Sequence, residues 1–163
     1  TLAPEAQLRG MLFWLLGDLA QAGTPWPALA ILGAGLAAAL PYARDLNVLA
    51  RGEITAMNLG VPVVRLRTGV QAAASLLTAV AVTTAGSIGF VGLVVPHLTR
   101  LAIGNDQRLL LPAATLGGAS LLTLADTLAR SVAAPVQLPV GALTALIGVP
   151  LFLFLLTRRG GLS

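Results

Sequence analysis

Gly86-Ser87-Ile88-Gly89-Phe90-Val91-Gly92-Leu93-Val94-Val95-Pro96-His97-Leu98-Thr99-Arg100 is the densest pattern in the chain. Gly86, Gly89 and Gly92 recur at every third position. On a helix such a row forms a smooth stripe that lets a neighbouring backbone approach closely. Pro96 removes one helical hydrogen bond and predicts a kink. An apolar, kinked, glycine-striped segment ending in His97 and Arg100 reads as a membrane helix in need of neighbours.

The flanking sequence supplies them. Apolar segments at 27–43, 68–85, 88–103, 109–128 and 138–157 approach the roughly 20 residues a spanning helix needs. The third is short and interrupted by Pro96. Their 3.6-residue period is weak, as expected of helices apolar all round. Only 10% of residues are charged and 56% are hydrophobic, against about 25% charged in soluble domains. The fold expected is all-α: a polytopic transmembrane helical bundle.

The arginines orient it. The 10 basic residues are all Arg. Arg44, Arg51, Arg65, Arg67, Arg100, Arg108, Arg158 and Arg159 fall on one side of five alternating spans, and only Arg9 and Arg130 on the other. Basic residues collect on the cytoplasmic side of a membrane, so the 45–67 loop and the C-terminal residues are expected there. Scattered single arginines without interleaved aromatics are no nucleic-acid surface. The absence of Cys excludes disulfides and thiolate metal sites.

Two stretches do not span. Residues 1–23 are expected to hold a short amphipathic helix on the outer surface, with Trp14 and Trp26 suited to the interface; the tail of a preceding span is the alternative. Thr1-Leu2-Ala3-Pro4 carries no signal-peptide pattern and reads as the middle of a longer protein. Residues 45–67 are too rich in Leu, Ile and Val for disorder. Two short helices with a turn at Gly52 are expected there. Glu53 would stand in the first turn of the second helix, where a carboxylate favours the dipole.

Few residues suggest chemistry. His97 is an intramembrane ionisable residue, a candidate relay or ligand. No Cys, Asp or Glu lies within a helical turn of it, so a structural histidine bonding carbonyls near Pro96, or facing the cytoplasm, is the stronger reading. Asp126 and Arg130, four apart, share a helix face. They read either as a local ion pair or as a pair whose Arg130 docks an acidic partner. Gly117-Gly118-Ala119-Ser120 gives the fourth span a small-residue face. Pro139-Val140-Gly141 and Gly148-Val149-Pro150 bracket the fifth. There is no phosphate-binding loop, paired carboxylate or Ser-His-Asp set, so nothing here hydrolyses ATP. An intramembrane enzyme using His97 and Asp126 is disfavoured because alternating spans put them at opposite faces. A half-length secondary transporter would want acidic residues near the bilayer midplane, and the spans have none.

The ordered motifs resemble the FecCD family. They are Gly-x-Ile-Gly-Phe-Val-Gly-Leu-Val-Val-Pro-His-x-x-Arg from Gly86, Asp106-x-Arg108-x-Leu-Leu-Pro112, Leu124-Ala125-Asp126-x-x-Ala129-Arg130, and Leu138-Pro139-Val140-Gly141-x-x-Thr144-Ala145-x-Ile147-Gly148-x-Pro150. Phe13-Trp14-Leu15-Leu16-Gly17 resembles the family's external segment, and Gly52-Glu53-x-x-Ala56-x-x-Leu59-Gly60 its cytoplasmic coupling loop. The resemblance implies five spans of a ten-span permease, the C-terminal half of a subunit of a type II ABC importer for iron-siderophores, haem or cobalamin in the bacterial cytoplasmic (inner) membrane. It implies a second permease copy, separate ATPase subunits and a periplasmic or lipid-anchored substrate-binding protein as partners, with no cofactor. Gly52, Glu53, Ala56, Leu59 and Gly60 would carry coupling to the ATPase, and Arg130 would meet the binding protein. Two departures are Arg51 in place of the usual Leu and Gln137 in place of the usual Glu.

Overall fold

The computed structural model describes residues 7, 10, 11, 15–17, 19, 23–132 and 139–159, with the backbone alone at 132, 154–156, 158 and 159. Its helices are α1 (Trp26–Ala39), α2 (Ala43–Leu49), α3 (Glu53–Asn58), α4 (Val63–Ala85), α5 (Val91–Ile103), α6 (Gln107–Val132) and α7 (Val140–Arg159). No strand occurs among the described residues. The external helix expected within 1–23 lies largely outside them.

The first span is longer than expected. Pro41, which has no N–H to donate, tightens residues Leu40–Tyr42 into a 3-10 turn. The helix does not stop there, and Trp26–Leu49 forms one apolar run of 24 residues. The second span likewise starts early, so Arg65 and Arg67 stand in the first turns of α4. The loop between them shrinks from 45–67 to 50–62. There α2, the last turns of the first span, meets α3 at a turn through Gly52, the two-helix geometry expected. The α3 helix ends on Gly60 at φ 79°. The Gly60 N–H bonds the Met57 carbonyl and the Val61 N–H bonds the Ala56 carbonyl, both at 3.0 Å. That closure needs a left-handed residue, which glycine supplies without strain.

The third span differs most. Pro96 lies inside α5, and the helix runs on to Ile103. The break is instead at Gly86, which ends α4 with φ 74° and is followed by a non-helical connection to Phe90. The 13 residues of α5 rise only about 20 Å, short of the ~30 Å hydrocarbon core. Gly86 and Gly89 are therefore not on one helix with Gly92, and a Cβ at Gly89 or Gly92 would meet nothing within 4 Å. The helical stripe expected from this spacing does not form.

Close approach occurs on α7 instead. The position a Cβ would take at Gly141 is filled by the Leu16 carbonyl, with the Ser87 carbonyl at 3.1 Å. A Cβ at Gly148 would stand 2.5 Å from the Phe90 Cβ and 2.9 Å from its Cγ. Phe90 has φ 65°, the only positive φ of a described non-glycine residue, a conformation that costs about 1–3 kcal/mol unless its surroundings hold it. The side chain filling the notch at Gly148 is what holds it. The connection 86–90 thus lies against α7 from Gly141 to Gly148.

Packing divides the helices into two sets. Helices α5, α6 and α7 pack on one another, with Ala125, Ala129 and Val140 at the buried centre and Leu19, Leu122 and Leu143 around them. The α5–α6 contact is close because Val95 reaches the space beside Gly117. Helix α1 packs on α4, where Leu77 sits against Gly35. Helix α2 joins the sets by resting on α6. Hydroxyls on the spans turn back to their own helix: Thr78, Thr83, Thr84, Thr115, Ser120, Thr123 and Thr127 each donate to the carbonyl four residues earlier. This satisfies a hydroxyl where no water is available.

Only 6%, 0% and 11% of the three longest apolar windows is buried. Water does not tolerate such faces, whereas lipid or further membrane helices do. The chain is a multi-pass membrane protein.

Gly148→Ala should lower thermal stability in detergent by about 1–3 kcal/mol through overpacking against Phe90, whereas Gly92→Ala, which meets open space, should be neutral or better. Equal losses for the two variants would contradict the notch.

Candidate functional site: the short-helix loop and the ends of α6

The arginine-rich end of the bundle is built from the α2–α3 loop, the start of α4 and the turn before α6. Helix α3 has two faces. Ala56 is fully buried beneath it. Ile54, Met57 and Leu59 point outward with 73%, 54% and 67% of their surface exposed. An apolar cluster on a polar end of the molecule marks an interaction surface. Of the residues expected to couple, Ala56 forms the buried floor of the loop. Gly52 and Gly60 set its turns. Leu59 is the expected residue that faces outward apolar, and Ile54 and Met57 join it.

Glu53 has a partner the sequence did not indicate. Its Oε2 accepts from Arg67 Nη2 at 3.1 Å, tying α3 to the first turns of α4. The two side chains are 49% and 56% exposed, so the pair orients the loop more than it stabilises it. A second tie is formed by Asn47 on α2. Its Nδ2 donates to Asp106 Oδ1 at 2.8 Å, and its Oδ1 accepts the Gln107 N–H at 2.8 Å. Asp106 in turn accepts the Arg108 N–H at 3.0 Å and caps α6. Gly104-Asn105-Asp106 carries a visible stop-and-cap signal, whereas nothing near Asn47 points to a partner so far along the chain.

His97 stands half-buried on α5. It has no hydrogen-bond partner among the described residues, so it does not bond carbonyls freed at Pro96. No group of three His, Asp or Glu able to hold a metal occurs among the described residues. With Val95 facing Gly117 and Val91 facing Gly118, α5 and α6 run antiparallel. Asp126 lies beyond the start of α5, while His97 lies toward the 104–106 turn. The two are not brought together.

At the opposite end, Arg130 Nε donates to Asp126 Oδ2 at 2.8 Å, the local pairing expected of residues four apart. Arg130 remains 46% exposed and Asp126 23%, so the guanidinium keeps free edges toward solvent. Ser87, from the unwound connection, donates its hydroxyl to the Leu15 carbonyl near the same end. Thr144, buried on α7, donates to the Gly141 carbonyl at 3.0 Å. Gln137 lies outside the described residues.

The described residues thus form an apolar multi-helix body with an exposed short-helix loop at one end. The sequence profile of the FecCD transport family matches residues 1–158, and the chain belongs to that family. It is 48% identical over 157 residues to the cobalamin import system permease BtuC of Halobacterium salinarum, covering 94% of this chain and 42% of that protein. It is 44% identical over 162 residues to the hemin transport permease HmuU of Yersinia pestis, covering 97% and 48%. To the Fe(3+) dicitrate transport permease FecC of Escherichia coli K12 it is 42% identical over 161 residues, covering 98% and 48%. Among solved structures, a transporter assigned to the metal-chelate ABC type in an inward-facing conformation superposes with a TM-score of 0.79 at 37% identity, over 93% of this chain and 49% of that one. The chain spans about half the length of the relatives it matches. The family and these relatives are transport permeases rather than enzymes, which sets aside the enzyme reading.

Because the Asp126–Arg130 pair is partly solvated, Arg130→Ala should cost less than about 1 kcal/mol of stability. Thermal denaturation of the purified protein checks this, and a loss of several kcal/mol would mean that the pair is structural.

Proposed function

We propose that this chain forms part of the permease of an ABC importer that carries a metal chelate across the cytoplasmic membrane, powered by ATP hydrolysis on a separate subunit. The cargo class is that of its relatives: cobalamin, hemin or ferric dicitrate in their cases. The arginine-rich end faces the cytoplasm, and the 50–62 loop seats an ATPase subunit. The Arg130 end faces outward and receives the substrate-binding protein, while a second permease copy completes the pathway.

The observation that carries this reading is the outward face of α3. Ile54, Met57 and Leu59 are exposed on and just after a short helix that Glu53 ties to α4, while Asn47 ties the adjoining helix α2 to the start of α6. A loop held this firmly with an apolar outer face is built to be gripped. Arg51, exposed at the turn, adds a charge to the rim of that surface. Arg130 suits docking because its pairing with Asp126 fixes it in place without neutralising its outer edge, and exposed charges of this kind steer association.

Ile54→Asp and Met57→Asp leave buried packing untouched and should preserve membrane insertion. Each should reduce co-purification of the ATPase about tenfold, the loss expected for a contact worth roughly 1.4 kcal/mol. Wild-type ATPase recovery with both variants would reject the seat. Single-cysteine labelling tests the orientation: Arg51→Cys should react from the cytoplasmic side only and Ser131→Cys from the outside only.

A further inference from the structure

The α2–α3 loop has two side-chain ties to the body among the described residues. Glu53–Arg67 joins it to the next helix in the chain. The Asn47 tie bridges 59 residues to Asp106 and reaches the helix that carries Arg130 at its far end. We propose that Asn47 and Asp106 form a positioning joint that passes displacement of the loop into α6, so that the loop and the Asp126–Arg130 end respond as one mechanical unit. The inference rests on the reading of the loop as the ATPase seat.

The geometry suits a joint better than a chance contact. Asn47 uses both ends of one planar amide, donating to Asp106 Oδ1 and accepting from the Gln107 N–H, each at 2.8 Å. Two bonds from a rigid plane fix direction as well as separation. Asp106 is bonded into the first turn of α6 through its side chain to the Arg108 N–H, and through its carbonyl to the Leu110 N–H at 2.8 Å. A push on α2 is therefore applied to the hydrogen-bonded start of α6 rather than to the 104–106 turn, where Gly104 sits at φ 87°. Helix α6 runs from Gln107 to Val132, and at 1.5 Å per residue Arg130 lies roughly 35 Å from its start. Asn47 is half-buried and Asp106 exposed, so breaking the joint removes little stability and its effect falls on transmission.

The test reads transmission directly and needs no knowledge of the cargo. In the complete permease assembled with its ATPase in liposomes, ATP hydrolysis is measured with and without the substrate-binding protein. The ratio of the two rates reports whether docking outside is felt inside. Asn47→Asp sets a carboxylate against Asp106 and should bring the ratio close to one, in complexes recovered at wild-type yield. The double variant Asn47→Asp/Asp106→Asn lets the amide at 106 donate to the carboxylate at 47, which still accepts the Gln107 N–H, while the Arg108 N–H loses the oxygen it shared; it removes the repulsion and should recover part of the ratio. A wild-type ratio in Asn47→Asp would overturn the joint, as would a loss that the double variant leaves unrepaired. If Asn47→Asp does not assemble, Asn47→Ser, which shortens the side chain without adding charge, must show the same loss, and a wild-type ratio there would equally overturn it. Failure of the wild-type permease to bind its ATPase through the loop would instead remove the underlying reading, and the joint with it.

Discussion

A backbone in hydrocarbon must find its hydrogen bonds inside the protein, and this constraint governs the whole molecule. Four of the five apolar helical segments meet it by remaining helical over most of their length, even across Pro41, Pro112 and Pro150. The remaining one, α5, leaves residues 86–90 unwound. That segment survives because α7 covers it, with Gly141 and Gly148 admitting backbone and ring where any larger residue would collide. The left-handed Phe90 and the two glycines of α7 are one structural solution. Without the notch at Gly148, Phe90 would lose the contact that holds its conformation.

The same constraint sends irregular structure to the ends. At the arginine-rich end the chain reverses through α2 and α3 and leaves the apolar side chains of Ile54, Met57 and Leu59 exposed. Its fixation is polar: Asn47 to α6 on one side and Glu53 to Arg67 on the other. The loop is thus exposed for contact yet restrained from moving independently, the combination a force-transmitting element requires. At the far end, Asp126 holds Arg130 in place while leaving it accessible. The two ends are joined by the continuous helix α6.

Much of this was legible in the residues, and what was legible was local. Apolar length gave the helical segments. Gly52 and Gly60 marked the turns of the loop. The four-residue spacing of Asp126 and Arg130 gave their pairing. Gly141 and Gly148 stood out as packing positions, although which segment would fill them was not visible. The misreadings share a cause. Pro96 looked like the break in the third span, but a membrane helix accommodates proline when its neighbours satisfy the freed group. Gly86 and Gly89 looked like a helical stripe because their spacing fits one, yet spacing cannot reveal that the helix stops before them. Asn47 with Asp106 and Glu53 with Arg67 depend on how the chain folds back on itself. The FecCD motifs supplied the family directly, whereas the burial of Ala56 beneath α3 depends on the fold.

The central claim is that the outer face of α3 is the surface on which an ATPase subunit acts. Site-specific photo-crosslinking from a cysteine introduced at Met57, 54% exposed at the centre of that face, measures it most directly in native membranes containing the whole importer. The account expects an adduct with the ATPase whose yield changes with the nucleotide bound, and no such adduct from a probe at Ser131 on the opposite end. Adducts from Met57 confined to lipid or to the permease itself, unaffected by nucleotide, would contradict it.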